Sequence, residues 1–445
     1  MRRASERPMP DDELTAADLR EIWPILSLDE RVQGFRVLPR EEAENLLFGL
    51  TDSDLTKLVL ALKPSDRRYW IRLLPPDDIA DLIQAAPADE REGLVTLLDE
   101  RTRHEVNALL AYAEDEAGGL MNPRYARVRP DMTVDEAVSY LRKLARQNLG
   151  TFNYAYVLDE QQKLLGVISL RELFTAVGDR KVRDAMQTGV VTLQENVDQE
   201  TVSRVFAETD LVAIPVVDDE GRMKGVVTVD DVVDVVQEEA TEDIQKFGGM
   251  EALEAPYLAT SFLEMVRKRG GVLAVLFIGE MLTATAMSQY EDEIAKAVIL
   301  ALFVPLIISS GGNSGSQAST LVIRAMALGE VQLRDVFRVL RRELGAGFAM
   351  GTGLALLGFI RVVVWQQLWP IYGPHYMLVA AAVGLSLIGV VMLGTVTGGL
   401  LPFALKRVGL DPASSSAPFV ATIVDVAGLV IYFTVASFVL RGTML

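Results

Sequence analysis

The sequence contains no cysteine, and histidine occurs only as His104 and His375. Disulfides and thiolate metal sites are therefore excluded. Two imidazoles are too few for a histidine-rich zinc or copper centre. Any metal ion that this protein binds must be held by oxygen.

The first ten residues, MRRASERPMP, lack the apolar segment of a secretory signal, which predicts that the first half of the chain stays in the cytoplasm. Positive charge is also scarce, because 43 Lys and Arg residues accompany 61 Asp and Glu residues and leave a net charge of -18. Nucleic acid is accordingly not an expected partner. Half of the 445 residues are nevertheless hydrophobic, and these dominate beyond about residue 270, so we expect at least two domains.

The apolar half contains five segments long enough to cross about 30 Å of hydrocarbon as helices. They lie near 270–289, 295–326, 345–364, 376–403 and 417–440. Arginine and lysine concentrate before the first segment, between the second and third, and between the fourth and fifth, which places those connections in the cytoplasm. We therefore expect a multi-pass protein of the inner (plasma) membrane, with its N-terminus in the cytoplasm and its C-terminus outside.

The fifth apolar segment carries an acid. Asp425 lies within FVATIVDVAGLVIYFTVASFVL, residues 419–440, although a charge near the centre of a membrane helix costs roughly 2.5 to 3.5 kcal/mol. It is either a functional carboxylate or a protonated, hydrogen-bonded group packed between helices. Glu280, inside the first segment, has three alternatives: it lines a pore, pairs across a dimer, or is protonated in packing.

The second apolar segment has an unusual composition, SSGGNSGSQAST at 309–320. It lacks the Lys of a phosphate-binding loop, and no strand precedes it. Within a membrane, such residues allow either a kinked helix at a packing interface or an irregular backbone that lines a pore. The spacing of Gly347 with Gly351, and of Gly394 with Gly398, is typical of close helix packing.

The charged half begins with a helical region, roughly 12–115, of short amphipathic helices that start at Asp, Ser or Pro. An internal repeat follows, VLDEQQKLLGVISLREL at 157–173 and VVDDEGRMKGVVTVDDV at 216–232. Each copy predicts a strand, an acidic turn, a second strand and a helix start. The repeat resembles a tandem pair of CBS domains, which implies a regulatory α/β module that often binds an adenine nucleotide and is rarely catalytic.

The junction between the two halves, VDDVVDVVQEEATEDIQKFGGMEALE, is the most acidic stretch. On a helix, Asp230, Asp234, Glu238 and Glu242 have i, i+4 spacing, where like charges repel by about 0.2 to 0.5 kcal/mol per pair. The stretch is either a solvated acidic face or a place where a divalent cation binds carboxylates and cancels the repulsion. A cation sensor is therefore physically plausible.

Three motifs connect these parts: ATEDI at 240–244, GGNSGSQAST at 311–320 and APFVATIVDVAGLVIY at 417–432. Together with EDEAGGLM at 114–121 and the domain order, they resemble the MgtE family of magnesium channels over nearly the whole chain. The resemblance implies a multidomain fold. Its parts are an α-helical N-terminal domain (1–120), an α/β tandem CBS pair (121–235), a long connecting helix (236–258) and an all-α transmembrane domain of five helices (259–445).

The resemblance also implies a Mg²⁺ channel that is a homodimer in membrane lipid, with Asp425 as its selectivity carboxylate. Ala421, Ser309 and Gly312 would offer backbone oxygen near it, and Asn313 belongs to the same irregular segment. Mg²⁺ gives up water reluctantly and is best held through its hydration shell by one or two carboxylates. The ion's charge also makes buried carboxylates tolerable.

The soluble domains resemble the family's magnesium-sensing gate, in which abundant cytosolic Mg²⁺ bridges acids and closes the pore. The positions that match its metal-bridging sites are Asp77, Asp81, Gly119, Asp198, Glu200, Ala207, Asp210, Asp231, Asp234, Glu239, Glu242, Asp243 and Asp411. Two positions depart from the family pattern, Asn45 in place of an acid and Ala417 in place of a polar residue. ATP, where it binds, is expected in the CBS pair.

Two other functions remain open. One is CBS-regulated transport of another ion, although chloride fits poorly because an anion path should present Arg, Lys or helix N-termini. The other is a membrane-anchored cation sensor that transports nothing. An enzyme is the least expected function, since no pair of nucleophile and base stands out in the sequence.

Overall fold

The computed structural model describes residues 14–145, 153–253, 257, 258, 260–296 and 298–443. The N-terminal decapeptide and Glu254 of the acidic junction lie outside the described residues. The chain divides into two compact units, residues 1–237 and residues 238–445. Each unit has a hydrophobic core of its own.

The first unit begins with eight helices on one core. They are α1 (Ala16–Ile22), α2 (Leu28–Val37), α3 (Arg40–Leu47), α4 (Asp52–Ala61), α5 (Pro64–Ile71), α6 (Pro76–Ala85), α7 (Ala88–Leu97) and α8 (Glu100–Leu109). α4 starts at the N-cap Thr51, whose hydroxyl accepts a hydrogen bond from the backbone amide of Asp54. α6 starts with Pro76 in its first turn. The predicted helical region of short capped helices is confirmed.

Two three-stranded sheets follow in the same unit. The elements are α9 (Ala117–Leu120), β1 (Arg127–Val128), α10 (Val134–Leu144), β2 (Tyr154–Leu158), β3 (Leu164–Ser169), α11 (Leu170–Thr175), α12 (Val182–Ala185), β4 (Leu193–Gln194), α13 (Gln199–Thr209), β5 (Ala213–Val217) and β6 (Met223–Thr228). β1 pairs parallel with β2, and β2 antiparallel with β3. Strands β4, β5 and β6 repeat this arrangement, which confirms the α/β tandem pair.

Helix α14 (Val229–Phe247) follows β6 directly and contains the boundary between the units. It therefore starts earlier than the predicted connecting helix, 236–258, and it also ends earlier. Residues 248–253 are turn and coil, because Gly249 has a φ of +76° and stops the helix. The acids with i, i+4 spacing lie on one continuous helix, as the sequence predicts.

The second unit consists mainly of long apolar helices. They are α15 (Phe262–Ser288), α16 (Glu291–Lys296), α17 (Val304–Ala327), α18 (Val336–Leu368), α19 (Tyr376–Arg407) and α20 (Ala417–Leu440), and 3-10 turns precede α17 at Val298–Phe303. Among the described residues of this unit, five segments are long and apolar enough to cross a membrane. The prediction of five membrane helices is confirmed.

Glycines bring three of these helices into close contact. A Cβ atom on Gly398 of α19 would collide with the carbonyl oxygen of Gly315 on α17. A Cβ atom on Gly351 of α18 would lie 2.9 Å from the Cα of Ile388 on α19. The glycines predicted to serve packing therefore do so, since any side chain would force the backbones apart.

Helix α15 packs mainly against α20. A Cβ atom on Gly279 would lie 2.8 Å from Cγ2 of Thr422, and farther along Tyr290 stacks on Phe433 with ring centroids 5.1 Å apart. The contacts advance together along both helices, so α15 and α20 run parallel. Within α15, Thr283 is buried, and much of the remaining surface of the helix is exposed.

Candidate ion pathway and acidic cluster

Asp425 lies on α20, which starts at the N-cap Ser416. Its neighbour Val424 is buried, whereas Asp425 is half-buried. A Cβ atom on Gly312 of α17 would lie 3.4 Å from the Cβ of Ala421 and 3.9 Å from Oδ1 of Asp425. The fold thus brings together three of the predicted pathway positions, Asp425, Ala421 and Gly312.

The glycine-rich segment of α17 is a regular helix. α17 continues through 309–320 without interruption, so of the two alternatives for this segment the irregular backbone is wrong. The physical reason is that its glycines serve contact with α19 rather than breaking the helix, as Gly315 does against Gly394. The carbonyl oxygen of Gly312 additionally accepts a hydrogen bond from Ser316 Oγ at 2.9 Å, so it is already engaged within the helix.

A polar stripe runs along the exposed face of α17. It consists of Ser309, Asn313, Gln317 and Thr320, all of them exposed. Steps of four, four and three residues place them on one face of a helix. Asn313 donates from Nδ2 to Ser309 Oγ at 3.3 Å. Because lipid leaves polar groups unsatisfied, a stripe of this kind is expected to contact water or protein.

Glu280 is a second carboxylate near this place. Its side chain is exposed in the single chain, which excludes packing between helices of the same chain. It is close enough to Asp425 for the two charges to interact. Two of the alternatives for Glu280 therefore remain, a pathway lining and a contact with a second copy.

In the first unit, acids converge around the starts of α4, α6 and α14. We use the name acidic cluster for Asp52, Asp77, Asp78, Asp81, Glu114, Asp230, Asp231 and Asp234, whose charges act on one another. Asp77 is only 7% exposed and accepts a hydrogen bond from Nδ2 of Asn122 at 3.1 Å. Asp231 accepts one from Thr228 Oγ1 at 2.7 Å. Four predicted positions, Asp77, Asp81, Asp231 and Asp234, are thus brought together.

Burial and mutual repulsion raise the pKa values in the acidic cluster. Burial, with the charges of Asp231 and Asp52, raises the pKa of Asp78 to about 7. Burial raises the pKa of Asp231 to about 6, although hydrogen bonds from Thr228 oppose the shift. Burial also holds the pKa values of Asp77 and Asp81 well above their ordinary range. A cation at this place would relieve the repulsion.

Glu114 and Asp230 of the acidic cluster are not among the predicted metal positions, and neither are Asp52 and Asp78. Both lie in the first turn of a helix, α4 or α6, where acids are common because they favour the positive end of the helix dipole. Their sequence context gives no sign that α4, α6 and α14 meet. The signal in the sequence was the adjacent pair Asp77 and Asp78 at the start of an amphipathic helix.

The remaining predicted sensor positions of the first unit are spread out. Asp198 is the N-cap of α13 and accepts from the amide of Thr201 at 2.9 Å. Glu200 lies in the first turn of α13, whereas Ala207 and Asp210 lie toward its end, about 10 Å and about 15 Å away at 1.5 Å per residue. These positions cannot share a single ion. Gly119 is buried in α9.

Two predicted positions of the second unit, Glu242 and Asp411, meet at a lysine. Lys246 of α14 forms an ion pair with Glu242 on the same helix. It forms a second one, at 2.7 Å, with Asp411 in the loop before α20. Asp411 also accepts from the amide of Ala413 at 2.8 Å. Glu239 and Asp243 lie on the same part of α14. The ammonium group thus stands between two carboxylates that the resemblance assigns to Mg²⁺.

Among the residues that the structure describes, no three carboxylate or imidazole groups converge closely enough to hold a metal ion. Mg²⁺ usually keeps several water molecules and needs only one or two carboxylates. The acids therefore fit a hydrated cation better than a closed cage of protein ligands.

The position that departs from the family pattern is engaged locally. The carbonyl oxygen of Asn45 accepts a hydrogen bond from Arg20. The neighbouring Glu44 is bound by Arg40 at 2.9 Å and by the hydroxyl of Tyr69 at 3.1 Å. Ala417, the other departure, is the first residue of α20, and its carbonyl oxygen accepts from Ser316 Oγ at 3.4 Å.

Four parts of the chain match three models of known protein families. Residues 14–115 match the MgtE intracellular N domain, and residues 117–179 and 182–238 match the CBS domain. Residues 304–435 match the MgtE model described as a divalent cation transporter.

Known proteins are similar over most of the chain. The magnesium transporter MgtE of Thermus thermophilus is 38% identical over 434 residues, which are 97% of this chain and 94% of that protein. The magnesium transporter MgtE of Bacillus subtilis is 31% identical over 396 residues, 89% of this chain and 83% of that protein. Among solved structures, the cytosolic domain of the Mg²⁺ channel MgtE in complex with ATP is 42% identical, with a TM-score of 0.47, over 50% of this chain and 91% of that one.

Proposed function

We propose that this chain, which belongs to the MgtE family of divalent cation transporters, is a Mg²⁺-selective channel for magnesium uptake that closes when cytosolic Mg²⁺ is abundant. The observation that carries the proposal is the placement of Asp425. It is a carboxylate of a membrane helix, and a Cβ atom added to Gly312 would lie 3.9 Å from its Oδ1. The residue after Gly312 is Asn313, which belongs to the polar stripe. A carboxylate and amides at membrane depth are expected to serve a cation path.

The path itself requires a second copy of the chain. The polar stripe of α17 and much of the surface of α15 are exposed in one chain, and a polar stripe cannot face lipid at low cost. A homodimer with a two-fold axis would place two equivalent polar stripes and two copies of Asp425 around one path. Membrane lipid would cover the outer, apolar faces.

Asp425 would select the ion through water. Mg²⁺ binds water strongly, so two carboxylates that face a hydrated ion favour a small divalent cation without stripping its shell. The bound charge also offsets the cost of holding Asp425 in the membrane. Ala421, Ser309, Gly312 and Asn313 would then shape the path around the hydrated ion, with Asn313 and Ser309 offering side-chain oxygens.

The acidic cluster would supply the magnesium sensor. Its carboxyls repel one another, and Mg²⁺ in the cytosol would hold them together through one or two direct contacts and bridging water. Scarce Mg²⁺ would leave the repulsion uncompensated and favour separation of the acids. α14 connects this cluster with Lys246 and the loop before α20, the helix that carries Asp425. The outlying positions Gly119, Asp198, Glu200, Ala207 and Asp210 would be further bridging sites.

The orientation follows from charge. Arg324, Arg334, Arg338, Lys406 and Arg407 flank the membrane helices on one side, and the positive-inside rule places that side in the cytoplasm. The first 258 residues would then be cytoplasmic, and the C-terminus would lie outside. The division into 1–120, 121–235, 236–258 and 259–445 is proposed on the same grounds.

We also propose ATP as a ligand of the CBS pair. The cleft lined by Tyr125, Tyr154, Tyr156 and Thr228 has a volume of about 10 Å³, room for about one water molecule, so a nucleotide would have to open it. The groove bordered by Leu164, Thr192 and Asp218 offers about 350 Å³. Titration of the full-length protein with ATP, followed by calorimetry, tests this part, and no heat of binding at millimolar ATP would refute it.

Magnesium uptake into proteoliposomes tests the channel. The vesicles contain a magnesium-sensitive dye, and the protein is the wild type, Asp425→Ala or the matched control Glu330→Ala, which removes an exposed acid from the loop after α17. We expect the wild type and Glu330→Ala to conduct. Asp425→Ala should conduct at least about tenfold less, which corresponds to about 1.4 kcal/mol of lost ion stabilisation.

Other outcomes separate the alternatives. A wild type that carries Mn²⁺, Co²⁺ or Ca²⁺ in preference to Mg²⁺ would be a transporter of another divalent cation. A wild type that passes no divalent ion but still changes conformation with Mg²⁺ would be a membrane-anchored sensor. No enzymatic activity is proposed.

A further inference from the structure

Glu280 is an intramembrane acid that is not among the residues of the proposed pathway. It lies in the middle of α15, a helix with a hydropathy typical of a membrane span, and its side chain is exposed in the single chain. An ionisable residue at such a place faces water or protein rather than lipid. Its depth in the membrane can be derived from the packing of α15 on α20.

The register between α15 and α20 is constant. Gly279 lies against Thr422, and Tyr290 lies against Phe433, so equivalent residues differ by 143 in number at both contacts. The hydroxyl of Tyr290 also lies 3.4 Å from Oγ1 of Thr434. Glu280 is therefore level with Ile423, two residues before Asp425. At 1.5 Å per residue, the two carboxylates differ in depth by only about 3 Å.

A buried hydroxyl lies in the same layer. Thr283 is one turn beyond Gly279 on the face of α15 that contacts α20, and it is 9% exposed. Its Oγ1 is buried and has no hydrogen-bond partner among the residues that the structure describes. The register places Thr283 level with Val426, next to Asp425. Buried hydroxyls normally have a partner, so this one indicates that a polar species reaches the layer.

We infer that Glu280 is a second specificity-determining carboxylate of the cation path, which acts together with Asp425 on the hydrated divalent ion at one depth of the membrane. The inference rests on the proposed function and adds a residue to its site. In a homodimer, the layer would contain four carboxylates instead of two. Thr283 would bind a water molecule of the ion's shell.

The physical role of Glu280 is to raise the local concentration of divalent ions. A carboxylate about 8 Å from a divalent ion, even at the dielectric of water, changes the occupancy of the ion about five-fold, and a lower local dielectric enlarges the effect. A contribution of this kind lowers the Mg²⁺ concentration at half-maximal flux and leaves the maximal flux largely unchanged. It also weakens when salt screens the charge.

The test measures Mg²⁺ flux into proteoliposomes as a function of Mg²⁺ concentration, for the full-length wild type, Glu280→Gln, Glu280→Asp and Asp425→Asn. Glu264→Gln is the matched control, since it removes a carboxylate from the first turn of the same helix. We expect Glu280→Gln to raise the half-maximal Mg²⁺ concentration roughly five-fold. We expect Glu280→Asp to stay close to the wild type, and added monovalent salt to reduce the difference between Glu280→Gln and the wild type.

The outcomes distinguish this inference from the proposed function. If Asp425→Asn loses flux while Glu280→Gln has the half-maximal concentration and salt dependence of the wild type, Glu280 is not part of the path. If Glu280→Gln and Glu280→Asp lose flux to the same extent, Glu280 has a structural role and the inference is also wrong. If the wild type conducts no Mg²⁺, the proposed function itself fails.

Discussion

Asp77 is the acid that this fold buries most completely within the acidic cluster. Its carboxylate has a hydrogen bond from Asn122, but it also lies close to Asp78 and Asp231, and burial disfavours its charged form. One neutral hydrogen bond does not replace the hydration of a carboxylate. Asp77 therefore destabilises the first unit at neutral pH unless a cation is bound.

Replacement of Asp77 by Asn should stabilise the cation-free protein. The amide keeps the shape and can still accept from Asn122, while the cost of keeping an acid there disappears. We expect a gain of at least about 1 kcal/mol at pH 7, since one pKa unit corresponds to about 1.4 kcal/mol. Hydrogen exchange of the α6 amides in the full-length protein, with EDTA, measures this gain.

The matched control for Asp77→Asn is Asp89→Asn. Asp89 also lies in the first turn of a helix, α7, but it is exposed. Its replacement should be neutral or slightly destabilising, because it removes a favourable interaction with the helix dipole. If Asp77→Asn were also neutral or destabilising in the cation-free protein, the buried carboxylate of Asp77 would not lower the stability of the first unit.

At the scale of elements, α14 would connect the proposed magnesium sensor with the proposed ion path. Its first half carries three members of the acidic cluster, and its second half carries Lys246, which pairs with Glu242 and Asp411. These three side chains are partly exposed, so each ion pair contributes about 0.2 to 1 kcal/mol. The lysine thus links the end of α14 to the loop before α20.

Removal of this ammonium group should make closure depend more on Mg²⁺. In Lys246→Met the carboxylates of Glu242 and Asp411 repel each other, and the end of α14 is held less firmly. We expect the cytosolic Mg²⁺ concentration at half-closure to rise roughly two- to thirty-fold, because two such ion pairs together contribute about 0.4 to 2 kcal/mol. Flux measured at varied Mg²⁺ on the cytosolic side of the vesicles checks the shift.

Lys406→Met is the control for this measurement. Lys406 is an exposed lysine near the end of α19, in the same unit, and its charge change is identical. It should leave half-closure unchanged. An equal shift in both variants would mean that net charge matters, rather than the ion pairs of Lys246.

At the scale of the whole molecule, the raised pKa values link stability to pH. The folded-state pKa values of Asp78 and Asp231 are about 7 and about 6, above their unfolded value of about 3.9. An acid of this kind contributes stability that is fully present below pH 4 and is lost as the pH rises through its folded pKa. Without divalent cations, the first unit should therefore become less stable between pH 5 and pH 8.

The proposed binding of Mg²⁺ to the ionised cluster should reverse this loss, because a ligand stabilises the state that binds it. We expect the protection of α4, α6 and the first half of α14 against hydrogen exchange to fall from pH 5 to pH 8 in EDTA. Protection should fall much less in millimolar Mg²⁺. Rates must be corrected for intrinsic exchange. Equal pH profiles with and without Mg²⁺ would contradict a cation role for the acidic cluster.

The sequence by itself determined the elements and their order. Side-chain caps and prolines predicted the short helices, the repeat predicted two sheets of equal topology, and the length of the apolar runs predicted five membrane helices. These features depend on neighbours in the chain, so local patterns are sufficient to predict them. The cost of a charge in hydrocarbon likewise marked Asp425 without any structure.

Only the tertiary structure decided which of the many acids meet. Asp52 and Asp78 join Asp77 because α4, α6 and α14 pack together, and Glu280 reaches the depth of Asp425 because α15 packs parallel to α20. The segment 309–320 is helical because contact with α19 stabilises glycines that are poor helix formers alone. Such outcomes depend on contacts between residues far apart in the chain, whose energies a local pattern does not contain.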